Sequence, residues 1–175
     1  MTMRSLYSII FLLYVAVFLA QAPKWDWATS PVGAGVVYGT ATDNAGNLYV
    51  TGAFRGDIIL GSDTFAAVKY GMDYNYFLAK YDSTGNIIWA RAAGGNKADY
   101  GLAVTTDVAG NVYTTGSTES DSIRFGSVLI NQTGQNYPQN SFVVKYSPAG
   151  NILWVHSASG PLIGNQSYEI GRAHV

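Results

Sequence analysis

Side chains able to do chemistry are few in this sequence and widely spread. It has two histidines and no cysteine. Without thiols there can be no disulfide staple, thiol catalysis or thiolate metal site. His156 stands two positions after Trp154, where the related stretches carry Arg91 and Thr29. That placement suits a structural or surface imidazole better than a ligand. His174 lies in a terminal stretch unlike the rest and takes no role. The carboxylates Asp43, Asp82, Asp99 and Asp107 are dispersed, mostly one per turn. A glycosidase needs two carboxyls about 5–9 Å apart across the scissile bond, and this spacing suggests no such pair. Asp43-x-x-Gly-Asn is too short and too poor in oxygen ligands for a calcium loop. The aspartate reads instead as a turn stabiliser. Gly94-Gly95-Asn96-Lys97 lacks both the spacing of a phosphate loop and a helix after it, and neither Gly-x-Ser-x-Gly nor His-Glu-x-x-His occurs. No residue is assigned as catalytic, cofactor-binding or metal-binding, and no cofactor is expected.

The aromatic residues are the other chemical resource. Trp89, Trp154, Tyr81 and Tyr146 recur at a fixed spacing and read as packing. Tyr70, Tyr74, Tyr76 and Tyr137 fall in less regular stretches, where exposed rings would suit contact with carbohydrate or protein at a cell surface. Asn131-Gln132-Thr133 and Asn165-Gln166-Ser167 are formal glycosylation sites, relevant only in a host that uses them. Ten basic residues stand against eleven acidic ones without a basic block. That balance leaves no electrostatic footprint for nucleic acid.

These residues sit on an internal repeat. Asp43–Gly52, read as Asp-Asn-Ala-Gly-Asn-Leu-Tyr-Val-Thr-Gly, returns 64 residues later as Asp107–Gly116. Lys80–Trp89 returns 65 residues later as Lys145–Trp154, and Phe77 with Phe142 and Gly61 with Gly126 keep that offset. One residue has therefore been inserted between Gly116 and Gly126. Each Asp-x-x-Gly-Asn or Ser-x-x-Gly-Asn segment suits a type I turn closed by a left-handed glycine, which assigns positive φ to Gly46, Gly85, Gly110 and Gly150. Asp43, Asp82 and Asp107 would accept from turn N–H groups, and Ser147 more weakly. Each unit then gives two hairpins, hence four strands, with a short strand or excursion at Asp57–Gly61 and Ser122–Ile130. No segment carries a helical period.

Four antiparallel strands per repeat make one blade of a β-propeller. A β-sandwich of two units and an open solenoid of hairpins are the rival arrangements. Lys24-Trp25-Asp26-Trp27-Ala28 resembles Ile87–Ala90 without its hairpin partner, as expected of a leading strand that completes the last blade of a closed ring. The expected fold is all-β, with about two blades and the start of a third in an incomplete ring. The repeat units run 27–88, 89–153 and, in part, 154–168, within a blade region spanning 23–168. Two blades alone would leave sheet faces and edges open.

The motifs Asp-x-Ala-Gly-Asn-x-Tyr-x-Thr-Gly and Phe-x-x-Lys-Tyr-x-x-x-Gly-Asn-x-x-Trp, followed by Gly94-Gly95 or Gly160, resemble the SBBP (seven-bladed β-propeller) repeat family. The resemblance covers about residues 24–168. It implies an exported bacterial protein, often large, ending in a sorting or surface module. It carries over no catalytic residue.

The ends support that reading. Arg4, the apolar run Leu6–Ala20 and Ala20-Gln21-Ala22 form the three regions of a secretory signal peptide, residues 1–22. The run falls short of the roughly 20 residues a membrane helix needs, so no stable membrane span is expected after cleavage; a retained membrane anchor is the rival reading. Tyr168 matches Tyr100, but Glu169–Val175 departs from the repeat. That ending resembles the in-frame translation of a sequencing-library adapter, with a divergent final strand as the alternative. The sequence thus reads as the amino-terminal fragment of a secreted or cell-surface protein, acting as a non-catalytic scaffold or a recognition or adhesion module. The alternative is the propeller portion of a larger secreted hydrolase or lyase.

Overall fold

The computed structural model describes residues 27–30, 32–66, 73–131 and 140–158. Residues 1–22, assigned above to a signal peptide, lie outside the described residues, as do 159–168 and the divergent ending 169–175. The described chain forms β1 (Val32–Thr42), β2 (Leu48–Leu60), β3 (Asp63–Phe65), β4 (Asn75–Tyr81), β5 (Ile87–Gly95) and β6 (Asp99–Thr106). These are followed by β7 (Val112–Thr118), β8 (Ser122–Phe125), β9 (Val128–Asn131), β10 (Asn140–Tyr146) and β11 (Ile152–Ala158).

Turn chemistry explains the hairpins. In all four turns the first residue donates its N–H to the carbonyl of the Asn four positions on, and the glycine donates back to the first residue's carbonyl. Gly46, Gly85, Gly110 and Gly150 all have positive φ, between 77° and 89°. Asp43 Oδ1 accepts from Ala45 N and Asn47 N at 3.0 Å each, and Asp82 and Asp107 repeat the pattern. Among the described residues Ser147 Oγ accepts from Asn151 N alone, at 3.2 Å. Side chain–backbone bonds of this kind hold the αL turn against competing loop conformations.

The strands form two antiparallel sheets, all-β as the repeat implied. One runs β1-β2-β4-β5-β8-β9 with β3 on β2, seven strands in all; the other runs β11-β10-β7-β6. Strands β1, β2, β4 and β5 form a first blade, and β6, β7, β10 and β11 form a second in the same order. The arrangement is an incomplete propeller: the two sheets do not close into a ring. Because the repeat was cut at its tryptophans, Trp89 opens a sequence unit yet lies in β5, the outer strand of the first blade. Trp154 stands likewise in β11.

The stretch at Ser122–Ile130 is the hairpin β8–β9, and β8 leaves its own blade to pair with β5 of the first (Ala93↔Phe125, Gly95↔Ile123). Asp57–Gly61 runs into the equivalent hairpin β2–β3. The core has two clusters: Phe54, Ile58, Leu60, Phe77, Ala79 and Tyr81 pack within the first blade with Trp27 against them, and the other cluster lies between the blades. Tyr49, Tyr76, Leu78 and Trp89 of the first pack on Val112, Phe142, Val144 and Tyr146 of the second, with Ile123 and Phe125 closing the edge. Strand β4 is buried on both faces along its whole length, whereas β10 alternates buried and half-buried residues. One face of β10 is fully covered and the other only partly.

Candidate functional site

Each blade carries one compact polar cluster, built on the first turn. In the first blade Asp43 Oδ2 accepts from Asn47 Nδ2 at 2.8 Å and from Tyr49 Oη at 2.9 Å. The Lys80 ammonium lies 3.6 Å from that oxygen and 5.1 Å from the Tyr49 ring centre. The second blade repeats the cluster with Asp107, Asn111, Tyr113 and Lys145. Burial alone would raise the Asp43 carboxyl, but hydrogen bonds from Asn47, Tyr49 and Ala45 outweigh it and hold the group below its usual range. Burial, then the bond to Asp43, pushes the Tyr49 phenol well up. A stably ionised carboxylate facing a neutral phenol holds a structure together and leaves no proton to move near neutral pH. Asp82 behaves alike: bonds from Thr84 and Asn86 lower its carboxyl to about 2.

Asp99 differs. It is fully buried where β5 passes to β6, and burial raises it to about 6 despite bonds from Gly95 N (2.8 Å) and Ser120 Oγ (3.0 Å) to Oδ2. Its Oδ1 has no hydrogen-bond partner among the described residues. Glu119 adds like-charge repulsion.

The aromatic residues separate into two groups. Tyr76, expected among the loop tyrosines, is instead fully buried in β4, with its hydroxyl 3.4 Å from that of Tyr146. Its neighbours in sequence are irregular, but its own position pairs with Ala53 and Ala93 in the sheet. Tyr74 remains half-buried beside Tyr100, with ring centres 5.5 Å apart. Exposed Tyr38 meets Tyr100 edge-on at 6.3 Å, and the Arg55 guanidinium lies 5.7 Å from the Tyr74 ring. These rings come from β1, β6 and the approach to β4, far apart in the chain, so no local motif announced the cluster. Tyr70 and Tyr137 lie outside the described residues. So do His174, the second formal glycosylation site and all but Asn131 of the first. His156 is exposed on β11, its ring 4.9 Å from that of Trp154.

A groove of about 680 Å³ runs between the β2–β3 hairpin and β8, lined by Phe54, Phe65, Asn75, Asn96, Arg124 and Leu129 among others. Among the described residues no three His, Cys, Asp or Glu side chains are grouped to hold a metal. None of them forms a helix long and apolar enough to cross a membrane.

These observations define an all-β repeat protein whose fold resembles that of the WD and propeller superfamily. No family model matches the chain. A curated relative, an uncharacterized WD repeat-containing protein of Acanthamoeba polyphaga mimivirus, is 28% identical over an alignment 138 positions long, which covers 65% of this chain and 10% of that protein. The chain therefore spans about a tenth of the relative's length.

Proposed function

We propose that the chain is the blade-forming part of an exported protein that works as a non-catalytic scaffold and surface recognition module. One observation carries this reading: the carboxylates that recur with the repeat are bound into their turns, which makes them structural. The exposed Tyr38 beside Tyr100, Tyr74 and Arg55 supplies a recognition surface of the kind used for carbohydrate or protein. The SBBP-like motifs and the leader-like first 22 residues support bacterial export to the envelope or medium. No observation on the described residues favours the propeller of a secreted hydrolase or lyase.

Two experiments test the proposal. The purified chain is applied to glycan and matrix-protein arrays and to chromogenic hydrolase and lyase substrates. Saturable binding that weakens in Tyr38→Ser, with no turnover, is expected; turnover would sink the reading. Expressed with its leader in a bacterial host, the chain should reach the envelope or medium cut near Ala22. An uncut cytoplasmic product would remove the export half.

A further inference from the structure

Neighbouring strands bring Phe54, Asn75, Gly94, Arg124 and Leu129 into one row across the seven-stranded sheet. Phe54 of β2 pairs with Asn75 of β4. The β4–β5 register, Tyr76↔Ala93, sets Asn75 beside Gly94 when continued by one residue. Gly94 pairs in turn with Arg124 of β8, and Arg124 with Leu129 of β9. Residues directly opposed in an antiparallel pair share a face, so these side chains stand on one side of the sheet. Strand β8 agrees: Ile123 and Phe125 are buried in the blade joint, while Arg124 between them is exposed. Gly94 contributes no side chain, and the row is interrupted there. Adjacent strands lie about 4.8 Å apart, so two spacings open a gap of roughly 10 Å, floored by backbone, between Asn75 and Arg124. All five residues line the groove of about 680 Å³.

The groove is open in the folded chain. Thr64, Asn96, Arg124 and Leu129 are exposed along it, and its two walls, the β2–β3 and β8–β9 hairpins, consist of described residues. Arg124 is the one charged residue among those that line it. Among the described residues Arg124 makes no salt bridge, whereas Asp121, the acid nearest to it in sequence, is bound by Lys97 and Asn96. The fold does not call for this charge. One repeat earlier Ile59 stands in its place, since Ile59 pairs with Thr64 as Arg124 pairs with Leu129.

We propose that this groove binds a small organic acid, its carboxylate held by Arg124 over the Gly94 gap and its acyl or aryl body laid against Phe65 and Leu129.

Charge complementarity selects this occupant. A guanidinium takes a carboxylate through two parallel N–H bonds, and the buried Asn75, on the far side of the gap, adds an amide to the same face. A cationic ligand would meet no acid in the groove, and a wholly polar one would leave Phe65 and Leu129 unmatched. The volume falls in the range of small-molecule sites, which join mostly apolar walls to a few placed polar groups. The groove shares no residue with the Tyr38, Tyr74, Tyr100 and Arg55 surface, so the inference stands whether or not that surface recognises a glycan.

The test titrates 3-phenylpropionate, its neutral amide and galacturonate into the full chain by calorimetry. Wild type, Arg124→Ile and Leu129→Ser are compared, each checked by circular dichroism. Both substituted residues are exposed, and isoleucine is what the first hairpin carries at this place. The wild type should bind 3-phenylpropionate saturably and about tenfold or more tighter than the amide, the value of a charge-assisted pair. Arg124→Ile should bring acid and amide to the same affinity, and Leu129→Ser should weaken both together. Absence of binding to the folded wild type overturns the proposal. So do equal affinities for acid and amide, a preference for the acid that survives in Arg124→Ile, or galacturonate binding more tightly than 3-phenylpropionate.

Discussion

The Trp89 indole rests directly on the backbone of Gly150, so that a Cβ at Gly150 would sit 2.8 Å from the ring. The glycine also holds φ of +77°, a region that residues with a side chain rarely adopt. Gly150→Ala therefore meets backbone strain and overpacking in the blade joint at once. Each costs on the order of 1–3 kcal/mol. The urea midpoint should fall accordingly. Gly110→Ala, whose nearest neighbour would be Pro148 at 3.4 Å, should lose only the strain part.

Trp89 and Trp154 occupy the same position in successive blades, yet among the described residues only Trp89 is covered by a following blade. Trp89→Ala should cost about 3–5 kcal/mol, the range for emptying a buried aromatic site. Trp154→Ala should cost clearly less, because its ring is half open and water refills the space. Paired denaturation curves decide the matter. Equal losses would mean that residues outside the described set cover Trp154.

The turns were legible because their chemistry is local. Asp43, Gly46 and Asn47 lie within five positions and specify one hairpin without help from elsewhere. Blade order followed from the repeat. The joint was not legible, because Trp89 and Pro148 stand 59 residues apart and neither type declares its partner. The crossing of β8 onto β5 was hidden for the same reason: Ser122–Ile130 reads as a short strand or an excursion, and period alone names no neighbour. Tyr76 shows the cost of judging by surroundings, since irregular flanking residues masked a core position. Asp99 looked like its fellow aspartates, and only burial between β5, β6 and Ser120 sets it apart.

That burial has a pH signature. Asp99 rises from 3.8 to about 6 on folding, chiefly through desolvation, with Glu119 adding to the rise. The folded chain thus holds a proton that the unfolded chain releases, and stability must fall as pH rises through this window and level off above it. Asp43, Asp82 and Asp107 are lowered instead, so their contribution disappears as pH drops below the window. Asp99→Asn keeps an acceptor for Gly95 N and Ser120 Oγ and removes the buried charge. It should abolish the decline and raise stability at neutral pH by up to about 3 kcal/mol. Thermal melts across pH 4 to 7 read both effects. An unchanged slope in the variant would assign the decline to another group.

The fourth turn is the weakest of the set, and it is the one on which Trp89 rests. Where Asp43, Asp82 and Asp107 each accept several bonds, Ser147 accepts one among the described residues, from Asn151 N. Ser147→Asp would supply a carboxylate for Ala149 N and Asn151 N in the geometry the other turns already show. Arg91, whose Nε donates to the Gly150 carbonyl at 2.7 Å, adds a favourable charge on the same turn. A gain of about 0.5–1.5 kcal/mol is expected, the usual net value of a hydrogen bond, read as a higher urea midpoint with an unchanged slope. Hydrogen exchange at Ala149 and Asn151 should slow in parallel. If stability stays level while exchange slows, Pro148 has already fixed the turn in the folded and unfolded chain alike, and the serine is sufficient there because proline stands beside it.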